Sequence, residues 1–176
     1  IFGKTEYNGI KLLNSLSEKL IEDEPITQTP PAGIVPNPSY NGFIENPIDY
    51  SEAEVAAMTS LAGVDETSAI SAGQYSISSA EELAKLARMT NSGLITGGEF
   101  VLASDIDLSA YSAGAGWTPI GTEANGFQAN FNGNGHTITN LRINTEQRLL
   151  GLFGKISGAE IKNVGLLNCN VNNTGT

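Results

Sequence analysis

The sequence predicts a mainly β chain built as a β-solenoid, and three observations carry that expectation. The first is a self-match. Thr137-Ile138-Thr139-Asn140-Leu141-Arg142-Ile143-Asn144 and Glu160-Ile161-Lys162-Asn163-Val164-Gly165-Leu166-Leu167 align without gaps at an offset of 23 residues. A fixed period of roughly 20–50 residues marks architectures whose units bury their apolar faces only against neighbouring units. The second is the chemistry inside the match: Ile138 and Ile161 sit in short β-branched runs, each closed by an asparagine, which tolerates the left-handed bend between two short strands. The third is composition, since 20 glycines and only 16% charged residues suit a turn-rich β protein better than a helical bundle. On this reading Asn140 stacks over Asn163 in adjacent coils, and the two amides satisfy one another where burial alone is costly.

In chain order, residues 1–24 read as an amphipathic helix. Ile10, Leu13, Leu16 and Leu20 form its stripe, with Asn8 as N-cap and Pro25 as stop. Residues 25–50 hold six of the seven prolines and read as an extended, polyproline-like arm. Within it Ile34, Val35, Tyr40, Phe43 and Ile44 are too apolar for a solvated linker, so the arm is expected to lie on a surface. Residues 51–74 open with a capping box, Ser51-Glu52-Ala53-Glu54, predicting a short helix to about Leu61 closed by Gly63, then a polar loop. Residues 75–98 predict a brief strand at Tyr75-Ser76-Ile77 and a helix capped by Ser78 or Ser79. That helix carries Leu83, Leu86, Ala87 and Thr90 on one face and ends at Asn91-Ser92-Gly93. Residues 99–176 alternate short strands with turns at 121–126 and 132–135, and a polar loop follows at 144–148.

Gly151-Leu152-Phe153-Gly154-Lys155-Ile156-Ser157-Gly158, followed by Ile161-Lys162-Asn163-Val164-Gly165-Leu166, resembles the GLUG repeat of bacterial surface proteins. Trp117-Thr118-Pro119-Ile120-Gly121 and Gly126–Ile138 are similar to the coil that precedes such repeats. The resemblance spans about residues 75–171. It implies a right-handed parallel β-helix with a strand and helix at its N-terminal end as a cap, in a secreted or cell-surface, often adhesive, protein. Asn140, Asn163, Ile138, Ile161, Trp117 and Phe153 are its expected structural residues. The implied function is a non-enzymatic structural or adhesive module, a subunit of an extracellular appendage or filament. The alternatives are a carbohydrate-active β-helix enzyme and a phage tail-fibre-type receptor-binding module.

The chain begins at Ile1 rather than Met and stops at Thr176, partway through a repeat. A piece of a longer protein, or a subunit whose end a partner covers, is therefore expected. The Ile10/Leu13/Leu16/Leu20 stripe is the candidate assembly element, for self-association or for a partner subunit, and a glycan or host surface is the candidate ligand. A net charge of −10 without a basic patch excludes a nucleic-acid partner. No apolar run is long enough to span a membrane.

The chemistry-bearing residues are sparse. His136 stands alone in a glycine-rich turn without the base-plus-orienter arrangement of a catalytic site, so no catalytic residue and no cofactor is expected. Asp105 and Asp107 are the best carboxylate pair, with two roles open to them. They share one side of a strand and qualify as candidate calcium ligands, or they cap backbone amides at a corner; two carboxylates fall short of the about six to eight oxygens calcium takes. Trp117, Tyr111 and Phe127 read as sugar-stacking platforms or as core, the Trp-x-Pro-Ile-Gly context favouring core. Cys169, the single cysteine, reads as a small buried hydrophobe. Asn172-Asn173-Thr174 matches a glycosylation sequon.

Overall fold

The computed structural model describes residues 48–175, together with the strands β1 (Ile34–Pro36) and β2 (Phe43–Glu45). The expected helix bearing Ile10, Leu13, Leu16 and Leu20 lies outside the described residues. Within the proline-rich arm, β1 and β2 pair with each other antiparallel, Val35 opposite Ile44. The sequence reading had the arm extended but unpaired. A two-stranded ribbon leaves each strand one open edge, which is where sheets tolerate proline.

The capping box at Ser51 forms as expected. The Ser51 Oγ accepts the Glu54 N–H at 3.4 Å and the Glu54 carboxylate accepts the Ser51 N–H at 2.8 Å. The helix it opens, α1 (Glu52–Ala57), is shorter than expected. Thr59–Ser60 forms strand β3 instead, parallel to β4 (Gln74–Ile77), and Leu61–Gly63 closes into a 3-10 turn. Leaving the helix early lets Leu61 reach the core, where it is fully buried.

Helix α2 (Ala80–Asn91) starts at Ser79, whose hydroxyl accepts the Glu82 N–H at 3.2 Å. Its end is a Schellman motif: Gly93 at φ 78° lets Leu94 N–H reach Met89 O and Gly93 N–H reach Thr90 O. Leu83, Leu86 and Met89 enter the core. The helix is covered on its other side as well. Glu82 and Lys85 are buried there, Lys85 Nζ donating to Ala62 O and Val64 O and the Glu82 carboxylate accepting from Ser60 and Ser78.

The strands that follow are β5 (Glu99–Leu102), β6 (Ile106–Asp107), β7 (Asn130–Asn132), β8 (Thr137–Thr139), β9 (Arg142–Thr145), β10 (Ile161–Lys162), β11 (Gly165–Leu167) and β12 (Asn170–Asn173). They build a mainly β structure of parallel sheets. One has the order β10-β7-β5-β4-β3, a second β11-β8-β6, and a third pairs β12 with β9. The chain visits these sheets in the same order twice, through β7, β8, β9 and then β10, β11, β12. Each later strand lies parallel beside its earlier counterpart.

Register stacks like on like inside. Tyr75, Phe100, Phe131 and Ile161 form one column, Ile106, Ile138 and Leu166 a second, and Ile143 and Val171 a third. Aromatic contacts knit the interior further, with Tyr75 stacked on Phe100 at 5.3 Å and Phe153 against both Phe127 and Phe131 at 5.2 and 5.3 Å.

The asparagines do mark corners, but the expected pair is corrected. Asn140, Asn163 and Asn168 all adopt positive φ (60°, 53°, 53°). Asn140, however, lies beside Asn168, which donates its side-chain amide to Asn140 Oδ1, whereas Asn163 donates to Asn132 Oδ1 at 3.2 Å. The strand–corner unit recurs at five residues within one pass, Asn163 and Asn168 being successive corners. The 23-residue self-match is therefore one such unit short of the 28-residue register between layers.

Candidate functional site

The last pass leaves an open edge. Among the described residues, β10, β11 and β12 each end their sheet, with no strand on the outer side. The apolar columns run out onto that edge. Phe131, Ile138 and Ile143 are buried, while their successors are not: Ile161 is half-buried, and Leu166 and Val171 are 46% and 45% exposed, as is Leu167 at 46%. The polar ladders run out the same way. Asn140 bridges the Asp107 carboxylate, 2.8 Å away, and Asn168, while Asn172 donates to Asn144 Oδ1 at 2.7 Å. An edge of this kind is a template for further strands of matched register.

A second feature lies on the outer face, where residues 48–50 cross the turn at 132–135. Asn134 (φ 46°, buried) acts as a surrogate backbone. Its Oδ1 accepts the N–H of Asp49 and of Tyr50 at 2.9 and 2.8 Å, and its Nδ2 donates to Tyr50 O at 2.9 Å. The Asp49 carboxylate takes Lys162 Nζ at 2.6 Å and Asn132 Nδ2 at 2.9 Å. The Lys162 bond foremost holds the Asp49 acid below the usual carboxylate range, and Asp49 in turn raises the lysine. Tyr50 OH donates to Glu99 at 2.7 Å. The sequence reading saw 132–135 only as a turn. Asp49 and Asn132 stand 83 positions apart, so nothing local announces their meeting.

Beside this group a cleft of about 760 Å³ opens between α1 and the sheet face, lined among others by Tyr50, Glu52, Val55, Ser76, Asp105 and His136. His136 Nδ1 lies 3.4 Å from Asp105 Oδ1. The Asp105 carboxylate also accepts the Thr137 N–H at 2.8 Å and its hydroxyl at 3.2 Å. Burial pushes the acid up, but these bonds and His136 outweigh it and leave it below its ordinary value. Asp107 serves a corner of its own, accepting Asn140 Nδ2, the Ser109 N–H at 2.8 Å and the Ser109 hydroxyl at 3.0 Å. Both carboxylates thus cap amides and hydroxyls. No group of three or more potential metal-binding side chains occurs among the described residues.

Trp117 is buried, its Nε1 donating to Leu152 O at 3.2 Å and its ring edge-on to Tyr111, and Phe127 is fully buried. The sugar-platform role is thereby removed from both rings. Tyr111 stays half-buried and donates its hydroxyl to Glu81. Cys169, expected inside, is exposed, because it lies in the pass whose outer side no described strand covers. Asn172 of the sequon is exposed on β12.

No family model matches the chain, and no solved structure matches it. It is 51% identical over 63 residues to a "Putative Gly-rich membrane protein" of Evansella cellulosilytica, a match covering 34% of this chain and 7% of that protein. It is 33% identical over 107 residues to "Halomucin" of Haloquadratum walsbyi, covering 54% of this chain and 1% of the relative. The chain thus spans a small fraction of the length of the curated relatives it matches. No helix among the described residues is long and apolar enough to cross a membrane.

Proposed function

We propose that this chain is a right-handed parallel β-helix segment of GLUG type, working as a non-enzymatic structural or adhesive module at the cell surface. One observation carries the reading. Apolar columns and asparagine ladders continue in register from layer to layer, Ile106–Ile138–Leu166 and Asp107–Asn140–Asn168 among them. Each such column buries apolar area between layers at about 25 cal/mol per Å². The non-enzymatic part rests on the carboxylates, since Asp105 and Asp107 are engaged in holding corners. The printed names of the relatives, a membrane protein and a mucin-like one, support the cell surface as location.

On this reading the chain associates with itself or with a partner subunit through its N-terminal region, by the Ile10/Leu13/Leu16/Leu20 stripe. Sedimentation velocity across a concentration series tests it. The wild-type chain is expected to associate with rising concentration, and the double variant Leu13→Asp/Leu16→Asp to stay monomeric. A wild-type chain that remains monomeric throughout overturns the assembly role.

A further inference from the structure

Lys162 and Asn132 are register partners on the parallel strands β10 and β7. Their side-chain nitrogens meet at one atom, Asp49 Oδ2, with Lys162 Nζ at 2.6 Å and Asn132 Nδ2 at 2.9 Å. Sharing one oxygen, the two nitrogens lie within two hydrogen-bond lengths of each other. The amide oxygen of Asn132 is held from the other side: its Oδ1 accepts the Asn134 N–H at 2.9 Å and Asn163 Nδ2 at 3.2 Å. Asn132 is fully buried. The group therefore contains an amine, an amide carbonyl polarised by two donors, and a carboxylate touching both the amine and the amide nitrogen.

We propose that Lys162, Asp49 and Asn132 form a self-modifying site that joins Lys162 Nζ to Asn132 Cγ in an isopeptide bond. Asp49 takes a proton from the Lys162 ammonium, and the freed amine lone pair attacks Asn132 Cγ. The carbonyl electron pair moves onto Oδ1, where the Asn134 N–H and the Asn163 amide stabilise it. Asp49 hands its proton to Nδ2 and takes one from the attacking nitrogen. The carbonyl re-forms, the Cγ–Nδ2 bond breaks, and ammonia leaves, carrying off the last proton as ammonium. Ammonium plus primary amide thus becomes secondary amide plus free ammonium, with no oxidant and no cofactor. Proximity is the rate advantage such a site draws on, since intramolecular partners that reach the attack geometry act at effective concentrations of about 10⁵–10⁸ M. The bond forms once per chain and acts on no outside substrate.

The site has a distinctive pH dependence. The reactive pair, neutral amine and protonated acid, holds the same single proton as the resting ion pair. Its share is therefore constant between the lowered Asp49 and raised Lys162 values, and falls outside them. The groups facing the pair are Glu99 and Glu160 beside Lys162, and Tyr50 beside Asp49. A competing route, attack of the Gly133 nitrogen on the same Cγ, is opposed because the Gly133 N–H is engaged with Lys162 O at 2.9 Å. The bond would tie the last pass of the chain covalently to the preceding one.

Intact-mass spectrometry of the purified full chain, incubated at neutral pH over several days, tests the proposal. The expected result is a loss of about 17 Da, the mass of ammonia, together with a digest fragment linking the Lys162 and Asn132 peptides. Lys162→Arg, which keeps the ion pair, is expected to hold its unmodified mass while its circular dichroism stays that of the wild type. An unshifted wild-type mass overturns the proposal. So does a loss of about 18 Da, which places the bond on Asp49 with release of water. A loss of about 17 Da that persists in Lys162→Arg also overturns it, because that marks ring closure at an Asn-Gly pair.

Discussion

Asn163 donates its side-chain amide to Oδ1 of Asn132 at 3.2 Å, while Asn140, the residue it aligns with in sequence, receives Asn168. Corners of the same chemistry therefore form separate ladders, each running from layer to layer. One comprises Asp107, Asn140 and Asn168. Another comprises Asp49, Asn132 and Asn163. Asn140, Asn163 and Asn168 each have two tasks, to adopt the left-handed bend and to pass a hydrogen bond along, and substitutions separate them.

Asn140 is the place to do so, with φ 60° and amide bonds to both neighbouring layers. Asn140→Gly keeps the bend and loses the amide; Asn140→Ala loses both. Alanine is expected to cost about 1–2 kcal/mol more than glycine, the penalty of a left-handed residue with a Cβ. Urea denaturation of the two variants measures it, and equal midpoints would remove the backbone task from the account.

Asn134 is expected to control how residues 49–50 are held, because it satisfies two N–H groups and one carbonyl there. Asn134→Gly preserves the positive φ and deletes all three bonds. The expected loss is about 1 kcal/mol, the low end of the cost of leaving polar groups unpaired, because these are only part-buried. Hydrogen exchange at the Asp49 and Tyr50 amides should accelerate well beyond that at Ile138. Unchanged exchange at both would mean the segment is held by Asp49 and Lys162 alone.

Two glycines with ordinary φ make a matched contrast. A Cβ at Gly133 meets Asn163 O at 2.3 Å and Val164 Cα at 2.5 Å, both backbone, whereas a Cβ at Gly63 meets nothing within 4 Å. Gly133→Ala should destabilise by about 3 kcal/mol or more, at the upper end of overpacking costs. Gly63→Ala should be neutral or stabilise by about 0.4–1 kcal/mol, through the unfolded chain. Thermal melts of the two variants decide it; similar melting temperatures contradict this account.

Acid should destabilise the protein over a definite window. Asp49, Asp105 and Asp107 are all lower in the fold than their ordinary values, through Lys162 at Asp49, through Thr137 and His136 against burial at Asp105, and through Asn140 at Asp107. Below the ordinary carboxyl value, about pH 4, the unfolded chain binds more protons than the folded one, so stability falls as pH falls. The contribution of these groups is complete above that value and is lost through the lowered folded values. Urea midpoints should be level from about pH 5 to 7 and decline below about pH 4, more shallowly in Asp105→Asn. A midpoint that rises on acidification contradicts the sign.

The sequence by itself determined what is local. A hydroxyl three residues before a glutamate made the capped start of α1, Gly93 made the Schellman end of α2, and asparagine between two β-branched or apolar runs made the corners, because each depends on backbone sterics within a few residues. It also set the inward side at Ile138, which alternates with Thr137 and Thr139. Tertiary structure alone decided which corners stack. Five-residue units that look alike offer several registers, and the buried column Tyr75–Phe100–Phe131–Ile161 selects one of them. It alone exposed Cys169, Leu166 and Val171, because burial there depends on whether another layer lies beyond them. It alone brought Asp49 to Asn132 and Lys162, three residues that no spacing in the sequence connects and that meet only because parallel strands set distant positions side by side.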